Sequence, residues 1–129
     1  MSEPTEPGEL HYLGQPVRGP IDHVECFAAP DHCTRVRFTC DEVTSYCPIT
    51  GQPDFSTVEI DYVPNRLCIE SKSLKLYLWS FRDKAVFVEQ LAVDVATEVQ
   101  RAAEPYSVKV TVTQSVRGGI VTEATAQLP

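Results

Sequence analysis

The hydrophobic periodicity of this chain changes twice along its length, and that change constrains the fold more than any other feature. The stretches RVRFTC (35–40) and STVEIDYV (56–63) alternate apolar and polar residues, which predicts two β-strands. Between residues 74 and 99 the apolar residues recur at helical spacing, which predicts two helices. Alternation returns in SVKVTVTQ (107–114) and IVTEATA (120–126), on either side of an RGG turn. The predicted order is therefore strand, strand, helix, helix, strand, strand.

This order of elements predicts an α+β architecture. Consecutive strands joined by hairpins pair antiparallel, and both helices can then pack on one face of the sheet. Residues 1–20 hold four of the ten prolines and are predicted to form a flexible arm. Residues 21–129 are predicted to form a single domain, small enough that oligomerisation would help to stabilise it.

The charge of the chain limits the classes of partner. A formal net charge of −7 argues against broad binding to a nucleic-acid backbone and favours a small molecule or a protein. No apolar run approaches the roughly 20 residues that span a bilayer, and the N-terminus is acidic and proline-rich, unlike a cationic signal peptide. We expect a cytoplasmic protein without a membrane partner.

The cysteines raise the question of a metal site. The chain has five cysteines, an odd number, and in the absence of an export signal we expect reduced thiols. Four of them are spaced seven residues apart, with two histidines nearby: Cys26, Cys33, Cys40 and Cys47, with His23 and His32. Structural zinc sites usually contain cysteine pairs about two to four residues apart, and this sequence has none. We therefore predict no metal site.

The stretch SYCPITGQPDF (45–55) combines a cysteine and a carboxylate in a segment rich in turn residues. Cys47 directly precedes a proline, and Asp54 follows seven positions later at the edge of a predicted strand. A thiol and a carboxylate that converge across a turn can act as nucleophile and acid–base partner. The alternatives are a structural cysteine and an aspartate that bonds its own backbone within the turn.

The stretch ESKSLKLY (70–77) places two cations at the start of a predicted helix. Lys72 and Lys75 are spaced i, i+3 and share one face of that helix. With Ser71, Ser73 and the free backbone N–H groups of the first turn they would form a phosphate site. The alternative is a solvated face with a serine cap, and helical spacing alone favours this alternative.

Taken together, these motifs resemble a known enzyme family. CPITGQPDF, ESKSLKLY beginning twenty-three residues after Cys47, SFRD and Glu89 resemble the short form of the NADPH-dependent 7-cyano-7-deazaguanine reductases, the nitrile reductases of queuosine biosynthesis. The resemblance extends over about residues 35–128. These enzymes belong to the tunnelling-fold superfamily, whose ββααββ subunits assemble through their sheets into barrels with active sites between subunits. The resemblance therefore implies a homo-oligomeric barrel that uses NADPH and a deazapurine substrate.

The resemblance also implies roles for three residues. The thiolate of Cys47 would add to the nitrile carbon of 7-cyano-7-deazaguanine, and the resulting thioimide would be reduced by two NADPH to 7-aminomethyl-7-deazaguanine. Asp54 would exchange protons and assist ionisation of the thiol. Glu89 would accept two hydrogen bonds from the guanine-like edge of the substrate.

The ESKSLK motif would supply the remaining contacts by the same resemblance. Glu70 and Ser71 are expected near the substrate. Lys72, Ser73 and Lys75 are expected at the phosphates of NADPH, in a chain that has no GxGxxG fingerprint.

One residue departs from the family pattern. The reductases usually place a histidine immediately before the recognition glutamate, and this chain has Val88 there. Histidine can donate a proton or a hydrogen bond, whereas valine can do neither. The presence of the ESKSLK motif favours a reductase function. Two alternatives to that function stay open. These are an amidine-forming transferase that acts on a nitrile-bearing deazaguanine without NADPH, and a non-catalytic deazaguanine-binding protein.

Overall fold

A computed structural model describes residues 10–14 and 19–129 of the chain. Eight helices and strands follow one another: β1 (Cys26–Ala28), β2 (Val36–Tyr46), β3 (Pro53–Val63), β4 (Leu67–Ile69), α1 (Ser71–Trp79), α2 (Val88–Ala103), β5 (Ser107–Arg117) and β6 (Ile120–Leu128). A short 3-10 helix over Ser80–Asp83 follows α1. The predicted ββααββ order and the α+β class are confirmed. The short strands β1 and β4 were not predicted, and they pair antiparallel with each other.

The main sheet is antiparallel throughout, with the strand order β2-β3-β5-β6. The helix α2 packs over β5 and β6, while α1 contacts β2. The strands β2 and β6 therefore form the two edges of the sheet. Among the helices of the described residues, none is long and apolar enough to cross a membrane.

The core lies between the helices and one face of the sheet. Ile60 of β3 pairs with Val110 of β5, and both are fully buried. From α2, Leu91, Val95 and Val99 point to the same core and are at most 1% exposed. Burying each of these side chains stabilises the fold by roughly 1.5–3 kcal/mol. One side of this core is thus formed by the alternating apolar residues predicted for the strands. The other side is formed by the apolar stripe predicted for the second helix.

The segment that precedes β1 is held by a buried carboxylate. Glu25 is 1% exposed, and its Oε1 accepts hydrogen bonds from the backbone N–H groups of His11 (2.7 Å) and Tyr12 (3.1 Å). The rest of the predicted arm, apart from residues 10, 13–14 and 19–20, lies outside the described residues. The division of the chain into an arm and one domain stays a prediction.

Two β-bulges interrupt the regular pairing of the sheet. Cys40 pairs with Val58, but the next aligned residue of β2 is Val43, which pairs with Ser56, so β2 carries one extra residue. The pairing of β5 with β6 shifts in the same way between Gln114 and Arg117. Because successive side chains of a strand point to opposite faces, each extra residue reverses which residues face the core beyond it.

Candidate active site

Cys47 lies directly after β2, at the start of the turn that leads into β3. Its backbone N–H donates to the carbonyl oxygen of Gln52, and the N–H of Gly51 donates to the carbonyl oxygen of Cys47, both at 2.9 Å. Gly51 has a φ of 72°, a left-handed conformation that glycine adopts without a steric cost. The sequence CPITGQPD therefore forms a closed turn with the cysteine at its base.

Cys47 and Asp54 lie on the same face of the sheet. Ser45 pairs with Asp54, and the hydrogen bond from Cys47 to Gln52 continues the same register beyond the end of β2. Residues that pair across two strands share a face, and so do residues two apart along a strand. The face is the one that carries Val58 and the core, because the bulge in β2 brings Cys47 onto it.

The surroundings of Cys47 favour its thiolate. A hydrogen bond from the Thr50 hydroxyl, together with the backbone N–H groups of Thr50 and Ile49, lowers the pKa of Cys47 to about 7, with a smaller contribution from the Arg117 side chain. A thiolate is the nucleophilic form of cysteine. By contrast, burial raises the pKa of Cys26 to about 12 and also raises that of Cys68.

Arg117 completes this cluster, and no local pattern in the sequence pointed to it. The Nη1 of Arg117 donates to Oδ1 of Asp54 at 2.5 Å, and its Nη2 donates to Oε1 of Gln52 at 3.3 Å. Asp54 is only 7% exposed, so this ion pair places a guanidinium beside a buried carboxylate. In the sequence Arg117 was only the first residue of an RGG turn, because its partner is 63 residues away along the chain.

The start of α2 is attached to the same end of β2. The N–H of Tyr46 donates to the carbonyl oxygen of Lys84 (3.1 Å), and the N–H of Val86 donates to the carbonyl oxygen of Tyr46 (3.2 Å). Two residues after Val86 the helix begins with Val88, which is buried at 8% exposure. Glu89 follows in the first turn and is exposed. The backbone therefore brings the beginning of α2 next to the residue that precedes Cys47.

The predicted phosphate site at the start of α1 is wrong in one respect, because two of the backbone N–H groups there are not free. Glu70 is the N-cap of the helix, and its carboxylate accepts hydrogen bonds from the N–H groups of Lys72 (2.6 Å) and Ser73 (2.8 Å). A carboxylate at this position satisfies the positive end of the helix dipole and would repel a phosphate. Glu70 thus has a structural role as a cap.

The other residues of the ESKSLK motif separate into buried and exposed positions. Ser73 is fully buried, and its hydroxyl accepts a hydrogen bond from the N–H of Glu25 at 2.8 Å. The Nζ of Lys72 donates to the carbonyl oxygen of Tyr12 at 2.7 Å. Ser71 and Lys75 are exposed. Of the three predicted cofactor residues, Lys75 is the one that is exposed.

Lys75 lines a cleft of about 520 Å³ between α1, the 3-10 helix and β2. The guanidinium of Arg82 lies 5.7 Å from the ring centre of Trp79, in a cation–π arrangement. The cleft is lined by Cys40, Glu42, Thr44, Lys75, Leu78, Trp79 and Arg82. Thr44 is about 10 Å from Cys47 along an extended strand. The cleft therefore lies beside the strand that leads to the thiol, and it combines two cations and an aromatic ring with one carboxylate.

Comparison with known proteins assigns the chain to a family. The family described as "QueF-like protein" matches residues 53–129. A protein of Parabacteroides distasonis is 41% identical over 93% of this chain and 80% of its own length, and it is named NADPH-dependent 7-cyano-7-deazaguanine reductase. A protein of Frankia casuarinae with the same name is 41% identical over 91% of this chain and 94% of its own length.

A solved structure supports the same assignment. The crystal structure of the archaeosine synthase QueF-Like in the apo form has a TM-score of 0.70 and 31% sequence identity to this chain. The match covers 78% of this chain and 99% of that one. The fold of the chain is therefore the tunnelling fold, as the resemblance implied. Because relatives of this kind match it over most of its length, the chain belongs to the QueF-like family.

Proposed function

We propose that this protein reduces the nitrile of 7-cyano-7-deazaguanine to a primary amine with NADPH as the reductant. The observation that carries the proposal is a cysteine with a pKa of about 7 on the same sheet face as a buried aspartate. A nitrile carbon is an electrophile that a thiolate can attack. The reductase name of relatives at about 41% identity supports the same reaction.

The capture step uses Cys47 and Asp54. The thiol of Cys47 gives its proton to the carboxylate of Asp54, and the sulfur bonds to the nitrile carbon while one carbon–nitrogen π bond breaks. The nitrogen then takes the proton back from Asp54, which leaves a neutral thioimide and the original carboxylate. Each proton transfer needs an acid–base group within hydrogen-bond reach of the reacting atom.

The reduction needs two hydrides, which two molecules of NADPH would supply. Two protons are needed as well: one adds to the nitrogen, which already carries one from the capture step, and the other restores the thiol of Cys47 when the carbon–sulfur bond breaks. Asp54 is the group that this chain offers for those protons. It lies on the face of Cys47, and among the described residues its Oδ2 makes no side-chain hydrogen bond.

Glu89 is the proposed contact for the guanine-like edge of the substrate. It is exposed in the first turn of α2, and within the described residues its carboxylate accepts no hydrogen bond. A carboxylate can accept from the ring N–H and the amino group together, since both point the same way. The attachment of Val86 to Tyr46 supports this role because it anchors the start of α2 beside the thiol.

Purified protein with 7-cyano-7-deazaguanine tests the proposed function. With NADPH, we expect two molecules of NADPH to be oxidised for each molecule of product, measured by the fall in NADPH absorbance. The product mass should be that of the aminomethyl compound. Ammonia incorporation without NADPH would instead identify an amidine-forming reaction. Binding of the nitrile without any product would identify a non-catalytic protein.

The cleft that contains Lys75 fits the phosphates of NADPH. Lys75 and Arg82 supply two cations, and the exposed ring of Trp79 offers a stacking surface for an adenine. Among the described residues, Glu42 is the only carboxylate that lines this cleft. We propose that the cofactor binds here, with its reactive end directed along β2 toward Cys47.

Replacing Lys75 and Arg82 together by alanine should raise the KM for NADPH about tenfold to a hundredfold, because two charge-assisted contacts are worth about 1.5–3 kcal/mol each before solvent screening. The KM for the nitrile should change little. The matched control is Arg66→Ala, an exposed cation in the turn between β3 and β4. Steady-state kinetics at low and high salt measure the effect, and unchanged NADPH kinetics in the double variant would reject the cleft as the cofactor site.

Val88→His should raise the rate of NADPH-dependent turnover. The family usually has a histidine at this position. A histidine there would supply a second proton donor beside Asp54. General acid–base help is worth about 10²–10⁴-fold, so we expect a gain of up to about a hundredfold when one acid is already present. Val88 is 8% exposed, and a polar ring there carries a cost in stability.

Val88→Thr is the control for Val88→His, since threonine has a similar shape and is not an acid–base catalyst near neutral pH. Thermal unfolding of all variants is measured beside the rate. If Val88→His folds as the wild type does and gains no more than Val88→Thr, position 88 does not limit proton transfer.

We also propose that the protein works as a homo-oligomer with active sites between subunits. The strands β2 and β6 leave both edges of the sheet unpaired by other named strands. Large apolar side chains around the site are more than half exposed: Ile49, Phe55, Phe87, Ile120 and Val121. Exposed apolar surface at this end of the sheet supports contact with another subunit there.

A further inference from the structure

Arg117 is held in a specific geometry beside the two reacting groups. Its guanidinium joins Asp54 at 2.5 Å and Gln52 at 3.3 Å, and Gln52 is the backbone partner of Cys47. The Asp54 side chain is 9% exposed, whereas that of Arg117 is 39% exposed. The carboxylate is therefore enclosed by the protein, and its charge is balanced by one arginine that reaches it from the neighbouring strand.

The bulge in β5 is what places Arg117 on the face of Asp54. Gln114 pairs with both Ser56 and Thr122, while Arg117 pairs with Ile120 after the register shift. The shift inserts one residue, so that Arg117 points to the same face of the sheet as Gln114. In a regular strand, a residue three positions away would point to the opposite face. The turn that follows consists of Gly118 and Gly119, with φ values of 56° and 81°. Bulges commonly re-aim a side chain next to an active site.

We propose that Arg117 is a positioning residue, whose guanidinium fixes Oδ1 of Asp54 so that one carboxylate in one orientation serves both the Cys47 thiol and the nitrile nitrogen. This inference rests on the proposed reductase function. The proton then moves from sulfur to Oδ2, which no side chain of the described residues engages, and from there to nitrogen. No proton passes through Arg117, which stays a cation throughout.

Two physical reasons make this arrangement effective. An ion pair with one oxygen of a buried carboxylate restricts its rotation, and restricted geometry is worth orders of magnitude in rate. A carboxylate that loses its partner in a buried site is left uncompensated, which is costly. An arginine whose two nitrogens reach separate acceptors, Asp54 on β3 and Gln52 just before it, restricts the orientation more than a lysine could.

The first test is a double-mutant cycle of Arg117→Gln and Asp54→Asn. Arg117→Gln alone should lower kcat about tenfold to a hundredfold, part of the about 10²–10⁴-fold typical of acid–base help, with little change in either KM. In the Asp54→Asn background Arg117→Gln should cause no further loss, since its effect acts through Asp54. The proposal would be overturned if the kcat losses of the two single variants multiplied in the double variant. A selective rise in the KM for NADPH in Arg117→Gln would overturn it as well.

The second test does not depend on nitrile reduction. Iodoacetamide alkylation of Cys47, followed by peptide mass analysis across pH, should show a midpoint near pH 7 in the wild type. Arg117→Gln should move this midpoint upward, because a cation is lost and a neighbouring carboxylate is left unpaired. An unchanged midpoint would overturn the proposal even if the protein proves to have another activity.

Two further variants guard against a purely structural effect. Arg37→Gln removes an arginine of β2 that pairs with Glu59 at 2.8 Å on the opposite face, and it should leave kcat and the alkylation midpoint unchanged. Arg117→Lys keeps the charge if Arg117→Gln fails to fold. It should retain the midpoint and still lose part of kcat, because one ammonium cannot hold both Asp54 and Gln52. A wild-type kcat in Arg117→Lys would reject the positioning role.

Discussion

Replacing Cys47 by alanine is expected to abolish covalent capture of 7-cyano-7-deazaguanine and to reduce NADPH oxidation below detection. Wild-type protein incubated with the nitrile and no NADPH should show one adduct per chain by intact mass, and the variant should show none. The buried cysteines Cys26 and Cys68 cannot substitute, since burial raises the pKa of Cys26 to about 12 and raises that of Cys68 as well. A neutral thiol is a poor nucleophile.

Cys33→Ala is the matched control for this prediction, because Cys33 is a free, half-buried cysteine away from the site. In the Cys33→Ala variant, the adduct on Cys47 should form at the wild-type rate. The pH dependence supplies a second check. The pKa of Cys47 is lowered to about 7, and above that pH the thiol proton that Asp54 passes to the nitrile nitrogen is lost to solvent, so the rate of adduct formation should be level below about pH 7 and fall above it. An adduct that persists in Cys47→Ala would remove this residue from the mechanism.

Replacing Asp54 by asparagine is expected to slow adduct formation by about 10²–10⁴-fold, the usual contribution of a general acid–base group. Asparagine keeps the shape of the side chain but cannot take the thiol proton or return it to the nitrogen. Binding of the nitrile itself should be nearly unchanged. Calorimetry on Cys47→Ala, with and without Asp54→Asn, measures binding without capture, while stopped-flow mass analysis measures the rate.

Asp61→Asn is a suitable control for Asp54→Asn. Asp61 also lies on β3 and also pairs with an arginine, Arg35, but on the opposite face of the sheet. Asp61→Asn should therefore leave the rate of adduct formation unchanged. If Asp54→Asn forms its adduct as fast as the wild type does, the buried carboxylate takes no part in the reaction.

The fold could be predicted well where the hydrophobic pattern is long and regular. The apolar stripe of α2 and the alternation of β3 and β5 each extend over several residues, so that their period can be recognised. The strands β1 and β4 have three residues each, which is too short for any period, and they form because they pair with each other. β2 extends to Tyr46, six residues beyond its predicted end, because its bulge interrupts the alternation.

The start of α1 shows why a motif can mislead when its local hydrogen bonds are unknown. Two lysines and two serines at a helix start predicted free N–H groups for a phosphate. In the structure the first residue of that motif, Glu70, turns its carboxylate back onto the N–H groups of Lys72 and Ser73. The cations that remain available, Lys75 and Arg82, meet instead in a cleft beside β2, and only the packing of α1 on the sheet creates it.

The order of elements, the family and the two residues proposed for the chemistry could be read from the sequence, because Cys47 and Asp54 lie in one short, distinctive stretch. The faces that these residues occupy, and the residues that join them there, became visible in the folded chain. Side chains alternate along a strand, so a single extra residue in β2 or β5 reverses the face of everything beyond it, and no local pattern marks that residue. Arg117 therefore meets Asp54 across 63 residues of chain through pairing that a one-dimensional pattern does not contain.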